Sequence, residues 1–148
     1  MMPRLNNAWV LDFGSGYKAA IGTRELLHLI AAPTTFTVPC TPAYCHRVLF
    51  WQGKLLPVMH VSRRLSDAAH EAPFIAVVGY QQKRGEYPQF GALQMVSPPA
   101  QVAVSDEQAC SLPDESQEWK ELAISCFEYS GVVVPVLNLN RLFGPPQT

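Results

Sequence analysis

The chain has 148 residues, 11 basic against 12 acidic side chains, a net charge of −1, and a composition that is 48% hydrophobic and 16% charged. Globular domains run to about 100–200 residues, so one domain covering residues 1–148 is expected, with enough apolar material for a core and too little charge for global disorder. A near-neutral chain with no long basic run lacks the face a general nucleic-acid binder needs against phosphates, and every apolar stretch is far shorter than the ~20 residues of a membrane-spanning helix.

The first residues, Met1 to Asn7, lead into a short apolar run broken at Asp12. That is not the hydrophobic region of a signal peptide, and a cytoplasmic location is expected. Trp9 to Phe13 has strand propensity, Gly14-Ser15-Gly16 supplies a turn, and Tyr17 to Ile21 returns as the second strand of a hairpin. Between Thr23 and Ile30 the period changes. Leu26, Leu27 and Ile30 fall at helical spacing, Thr23 is a suitable N-cap and Pro33 follows as a stop, so a short helix is expected there.

Pro39 and Pro42 frame a loop, and Ala43 to Trp51 returns to strand-like residues. Gln52-Gly53-Lys54 reads as a tight turn into a strand from Leu55 to Val61. Pro57 within that strand predicts an edge or a bulge, because proline cannot donate a ladder hydrogen bond. Arg63 to Glu71 is polar with room for a short helix, Phe74 to Tyr80 is an apolar strand, and Gln81 to Pro88 is a charged hairpin tip.

Phe90 to Val96 and Ala100 to Val104 are further strands, and Ser105 to Gln117 is a polar excursion. Leu122 to Tyr129, a turn at Ser130-Gly131, and Val132 to Leu139 make a last hairpin. Asn138 to Phe143 can form one helical turn closed by Gly144-Pro145. Many short strands with one or two helical turns predict a mainly β protein, a barrel or sandwich. Gly53-Lys54-Leu55-Leu56-Pro57-Val58 and Gly131-Val132-Val133-Val134-Pro135-Val136 echo each other, each a glycine turn leading to an apolar strand with proline at the same offset. Two similar small barrels would produce that echo.

Chemistry-bearing groups are sparse. The four cysteines (Cys40, Cys45, Cys110, Cys126) include no Cys-x-x-Cys pair and read as reduced, mostly structural thiols. Cys45-His46 is the nearest approach to a nucleophile with its base, the motif of a small thiol-dependent hydrolase. Adjacent strand residues point to opposite faces, however, so two ordinary strand residues are the simpler reading. His28, His46, His60 and His70 are scattered, without metal-ligand spacing, and no metal site is expected. Gly14-Ser15-Gly16 lacks the rest of a dinucleotide fingerprint, and the acidic pairs Asp106-Glu107 and Asp114-Glu115 lie in a polar loop. A small-barrel nucleic-acid binder has only architecture in its favour. Phe50 and Trp51 are more informative, because one of two consecutive strand residues faces outward and an exposed aromatic at a strand end can anchor a partner.

Taken in order, these segments resemble the CheW-like domain, the coupling module of bacterial chemosensory signalling. The opening hairpin running into Ile21 to Ile30 is similar to the family's strand and "V-x-E-I" turn, and Val38-Pro39-Cys40-Thr41-Pro42 to its "VPxxP" segment. Val48 to Val61 is placed like "GVINLRGxIIPVIDL", and Gly131 to Leu142 like the closing "grlvlLLDlerLL". The resemblance implies two interlocked SH3-like barrels of about five strands each, no catalysis and no cofactor. It also implies binding to a CheA-type histidine kinase, to a chemoreceptor tip, or to other CheW-like proteins, in chemotaxis or type IV pilus motility. The implied partner-binding positions are Leu26, His28, Arg47, Phe50, Trp51, Gln52, Gly53 and His60. Several depart from the family's pattern: Phe50, Trp51 and Gln52 stand where "NLR" stands, His28 and His60 replace acidic residues, Arg47 replaces a glycine, and the closing aspartate is Asn138.

Overall fold

Turn residues divide the chain into twelve strands and two short helices in the computed structural model, which describes residues 5–66, 72–81, 85–111 and 119–143. In order these are β1 (Leu5–Gly14), β2 (Tyr17–Gly22), β3 (Leu26–Ala31), β4 (Thr35–Thr37), β5 (Arg47–Trp51), β6 (Lys54–Met59), α1 (Val61–Ser66), β7 (Phe74–Tyr80), β8 (Gln89–Met95), β9 (Ala100–Ser105), β10 (Ala109–Cys110), β11 (Ala123–Tyr129), β12 (Val132–Leu137) and α2 (Leu139–Phe143). His70, the far end of the expected helix at 67–71, the hairpin tip at 82–84, the loop at 112–117 and the closing Gly144-Pro145 lie outside the described residues.

The strands form two six-stranded sheets. One has the order β10-β11-β12-β2-β1-β9, the other β3-β7-β8-β6-β5-β4. Each must curl. A flat sheet of six strands is about 24 Å across at about 4.8 Å per strand. The two edge strands β3 and β4 are joined through residues 32–34 only, and the edges β9 and β10 through residues 106–108 only. Chain from Ala31 to Thr35 spans at most about 14 Å, so each sheet rolls until its edges approach and becomes a small barrel. The fold is thus mainly β with two SH3-like barrels. Each has one strand more than the expected five, the additions being the very short edges β4 and β10.

The sequence echo is a structural repeat. Gln52 and Gly53 both have positive φ (48° and 77°), as do Ser130 and Gly131 (51° and 78°). These are the two-residue turns whose twist suits a tight hairpin. Val61 begins α1 eight positions after Gly53, and Leu139 begins α2 eight positions after Gly131. Pro57 lies neither on an edge strand nor at a register shift, which corrects the expectation of an edge or a bulge; Pro135 is also on an interior strand, with a register shift of β11 between Ala123 and Ser125 close by. Bonded and non-bonded pairs alternate away from the turn, so Pro57 faces Val48 at a non-bonded position of the β5–β6 ladder, and the parallel partner β8 joins only at Val58. Pro135 faces Cys126 in the same way, with β2 joining at Val136. In both barrels the missing N–H falls just ahead of the parallel ladder.

The barrels share their largest core. Leu11, Phe13 and Ile21 of the first sheet meet Val78, Leu93 and Met95 of the second, sealed by Trp119 and by Val61, Leu139 and Leu142 of the helices. Each barrel also keeps a smaller interior of its own, around Leu49, Val58 and Val77 in one and Phe127 and Val134 in the other. Helix α2 leaves the first sheet and docks on the second. Asn140 Nδ2 donates to Gln81 O (2.9 Å), Phe143 stacks on Tyr80 with ring centroids 5.7 Å apart, and Arg64 Nη1 of α1 donates to Leu142 O (3.0 Å). A Cβ on Gly91 would stand 2.5 Å from the Phe143 ring. Gly91→Ala should therefore displace the ring and cost about 1–3 kcal/mol, the usual range for overpacking. In thermal melts, adding Phe143→Leu should recover part of the loss; no recovery would mean that the ring does not set this limit.

Two expected elements are different in the structure. Thr23 to Ile30 is not a helix: Glu25 N–H donates to Gly22 O (3.0 Å) and Gly22 N–H to Glu25 Oε1 (2.8 Å), closing a turn that sends Leu26 to Ala31 out as a strand against β7. A register shift between Leu26 and His28 breaks the strand period, and pairing with β7 overrides the helix preference of the leucines. Ala43 to Cys45 is a 3-10 turn, not the start of β5, with Cys45 N–H donating to Pro42 O (3.0 Å). Burial raises the Glu25 carboxyl above its ordinary 4.5, against a smaller opposing effect of the Gly22 N–H. A raised folded-state value means that the native state holds the extra proton, so this contribution to stability is lost as pH rises through that value. Glu25→Gln keeps the oxygen acceptor and removes the titration. Relative to the variant, wild type should lose melting temperature as pH climbs from about 4.5; parallel curves would show that Glu25 is not strained by burial.

Candidate interaction surface

The β5–β6 hairpin positions most of the expected site. Its two-residue turn fixes the register Trp51↔Lys54, Phe50↔Leu55, Leu49↔Leu56 and Val48↔Pro57, while β4 adds Phe36↔Val48. Side chains alternate across a strand, so Leu49 and Trp51 point into the barrel and Val48 and Phe50 point out. The outer face therefore carries two apolar rungs, Phe36–Val48–Pro57 and Phe50–Leu55. Phe36 is 55% exposed, Phe50 62% and Leu55 67%. Large apolar side chains clustered this way on one sheet face mark an interaction surface far better than scattered ones do.

The structural repeat provides an internal comparison. At the matching positions of β10, β11 and β12 stand Cys110–Cys126–Pro135 and Glu128–Val133. An exposed carboxylate occupies the position of Phe50, so the paired Phe50–Leu55 rung is not repeated there, although Ile124 and Val132 of that barrel are exposed as well.

The expected site residues divide by location. Phe50, Gln52 and Gly53 are exposed on the hairpin, and Arg47 is exposed at its open end. Of the two consecutive aromatics, Phe50 is the outward one. Trp51 is half-buried against Phe90 (ring centroids 6.0 Å apart), with the Lys54 ammonium 4.0 Å above the Phe90 ring. His28 is exposed on β3 opposite Val77, and Leu26 is half-buried against the shared core. They belong to β3, an edge strand that pairs with β7 and not with β5 or β6.

His60 lies beneath the surface at the junction of β6 and α1. Its Nδ1 accepts from Arg63 N–H (3.3 Å) and lies 3.2 Å from Ser62 Oγ, while its carbonyl accepts the first helical bond from Arg64 N–H (3.1 Å). This is an N-cap, the position where a side-chain acceptor satisfies orphan helix donors. Asn138 does the same for α2, its Oδ1 accepting from Asn140 N–H (3.0 Å). Both residues stand where the resemblance has aspartate, so both changes exchange one helix cap for another.

Sequence reasoning missed Phe36 and Leu55. Leu55 was within reach, since a two-residue turn at Gln52-Gly53 pairs it with Phe50. Phe36 was not, because the β4–β5 register comes from a loop whose path is not encoded in its own periodicity.

Cys45 and His46 do not form a nucleophile with its base. They lie at a 3-10 turn, where burial raises the Cys45 thiol above its ordinary value despite the nearby Arg64 charge, and His46 Nδ1 is 2.6 Å from Ala43 O. A thiol held protonated is a poor nucleophile. Among the described residues no group of three or more His, Cys, Asp and Glu side chains could hold a metal ion. Among them, too, no helix is long and apolar enough to cross a membrane.

No family model and no curated protein sequence matches the chain. Among solved structures, it is similar to the scaffolding protein TtCheW from Thermoanaerobacter tengcongensis, with a TM-score of 0.78 over 97% of this chain and 94% of that one. Sequence identity between the two is 13%, so the likeness is one of fold. The architecture is that of a CheW-like protein: two small barrels interlocked through a common core.

Proposed function

We propose that this chain is a non-catalytic, cytoplasmic CheW-like adaptor in a bacterial chemosensory or type IV pilus motility pathway. It couples a CheA-type histidine kinase to a chemoreceptor tip or to other CheW-like proteins. The observation that carries this reading is the exposed apolar face of Phe36, Phe50 and Leu55, presented by one barrel of a fold shared with a scaffolding protein and replaced in the other barrel by a face bearing Glu128. In this reading Phe50 is the anchor, Arg47, Gln52 and Gly53 form the polar rim, and Trp51 braces the hairpin from inside. His28 and Leu26 on β3 offer a second contact strand, and His60 supports the site by holding α1. Gln52 presents a neutral amide where the family pattern has arginine, so the interface relies on apolar contact more than on charge.

The test is co-precipitation from the native cytoplasm at low ionic strength, where charged contacts at the rim are least screened. Recovery of a CheA-type kinase, a receptor or another CheW-like protein is the expected result. Recovery of none of the three would contradict the reading.

A further inference from the structure

The position that matches the apolar rung in the other barrel holds two thiols. Cys110 on β10 and Cys126 on β11 are direct partners in an antiparallel ladder, with Sγ atoms 3.3 Å apart. Such partners have Cα atoms about 4.5–5.5 Å apart, within the roughly 4.4–6.8 Å that a disulfide spans. The two side chains share a face, so rotation about their Cα–Cβ bonds carries the sulfurs toward one another.

We propose that Cys110 and Cys126 form a reversible cross-strand disulfide, closed by a peroxide-class oxidant and reopened by a dithiol. The environments of the two thiols are unequal, as a two-step closure requires. Cys110 lines an open depression of about 290 Å³ with Gln108, Glu128 and Gly131, which admits a small oxidant. Cys126 is 3% exposed, so a dissolved oxidant reaches it far less readily. Peroxide therefore meets Cys110 first. The Cys110 sulfur takes one oxygen, the O–O bond breaks, and one water leaves, giving a sulfenic acid. The Cys126 sulfur then attacks the Cys110 sulfur. The S–O bond breaks, and the departing hydroxide leaves as a second water with the Cys126 proton. Two thiols and one peroxide become one disulfide and two waters.

The geometry also guides the closure. Gln108 Nε2 donates to Glu128 O (3.0 Å), and Ser105 N–H donates to Gln108 Oε1 (2.8 Å), which together hold the short β10 segment against β11. Closing the bridge would fix this open edge of the first barrel covalently. The inference stands apart from the adaptor reading and would survive its failure.

The test exposes the full chain to graded hydrogen peroxide, blocks remaining thiols with N-ethylmaleimide and maps the peptides without reduction. The expected product is a Cys110 peptide joined to a Cys126 peptide, lost on treatment with dithiothreitol, while Cys45 remains alkylated. In Cys126→Ser, the Cys110 sulfenic acid should persist long enough to be trapped by dimedone. If Cys110 and Cys126 both stay alkylated at a dose that oxidises the exposed Cys40, or if Cys110 runs on to sulfinic acid in wild type with no cross-linked peptide, the proposal is overturned.

Discussion

Phe13→Ala should lower the free energy of unfolding by about 3–5 kcal/mol, the range for truncating a fully buried phenylalanine. Phe13 is wholly buried in the core common to both barrels, with the Trp119 ring centroid 6.5 Å away, and Trp119 in turn meets Tyr17 edge-on at 5.9 Å. Removing the ring leaves a cavity that neither sheet can close alone, because each is already constrained by its short edge connection. Total stabilities of about 5–15 kcal/mol make such a loss a large fraction of the whole, about 6–20 °C in melting temperature for a chain of this size. A shared core also predicts that the chain behaves as one domain, both barrels melting together. Urea unfolding followed by far-ultraviolet dichroism and by tryptophan fluorescence checks both points. Separate transitions, or a loss below about 1 kcal/mol, would show that the barrels do not depend on one another.

The second large effect concerns binding. Phe50→Ala should weaken association with the CheA-type kinase by at least ~2 kcal/mol, about thirtyfold in Kd, as hot-spot aromatics do. Because Phe50 is mostly exposed, its removal should change stability by no more than about 0.5 kcal/mol. Trp51→Ala should do the reverse. That ring faces the barrel interior against Phe90, so truncation should lower the melting temperature well beyond the Phe50→Ala value, and affinity should fall only as far as the hairpin loosens. Measuring affinity and melting temperature on both variants separates an anchor from a brace. Equal affinities for wild type and Phe50→Ala would remove the outer face from the interface.

Much of the fold was legible in the sequence because its signals are local. Glycine turns at Gly16, Gly53 and Gly131, apolar runs of strand length, and the recurring glycine-to-proline spacing mark the hairpins and the repeat. Resemblance to the CheW-like family added the pairing of these hairpins into two barrels. What stayed hidden is non-local. β3 is a strand only because β7 is there to pair with it, and leucines at helical spacing gave no hint of that partner. Pro57 could enter an interior strand because the parallel ladder starts one residue later, a fact of register between segments more than thirty residues apart.

The site was legible in the same uneven way. Alternation alone establishes that one of Phe50 and Trp51 points outward, but choosing between them needs the barrel interior, where Phe90 from β8 receives Trp51. His60 looked like a lost surface charge and is a helix cap, because the residue seven places after a turn glycine immediately precedes the helix that follows the hairpin. Asn138 repeats that logic in the second copy.

The most direct test of the adaptor account is hydrogen exchange on the chain, alone and with the regulatory domain of the CheA-type kinase from the same cell. The account predicts added protection in β4, β5 and β6, centred on Phe50 and Leu55, with the β10–β12 face unchanged. Protection confined to β10–β12, or no change anywhere at concentrations that saturate an ordinary adaptor interface, would contradict it.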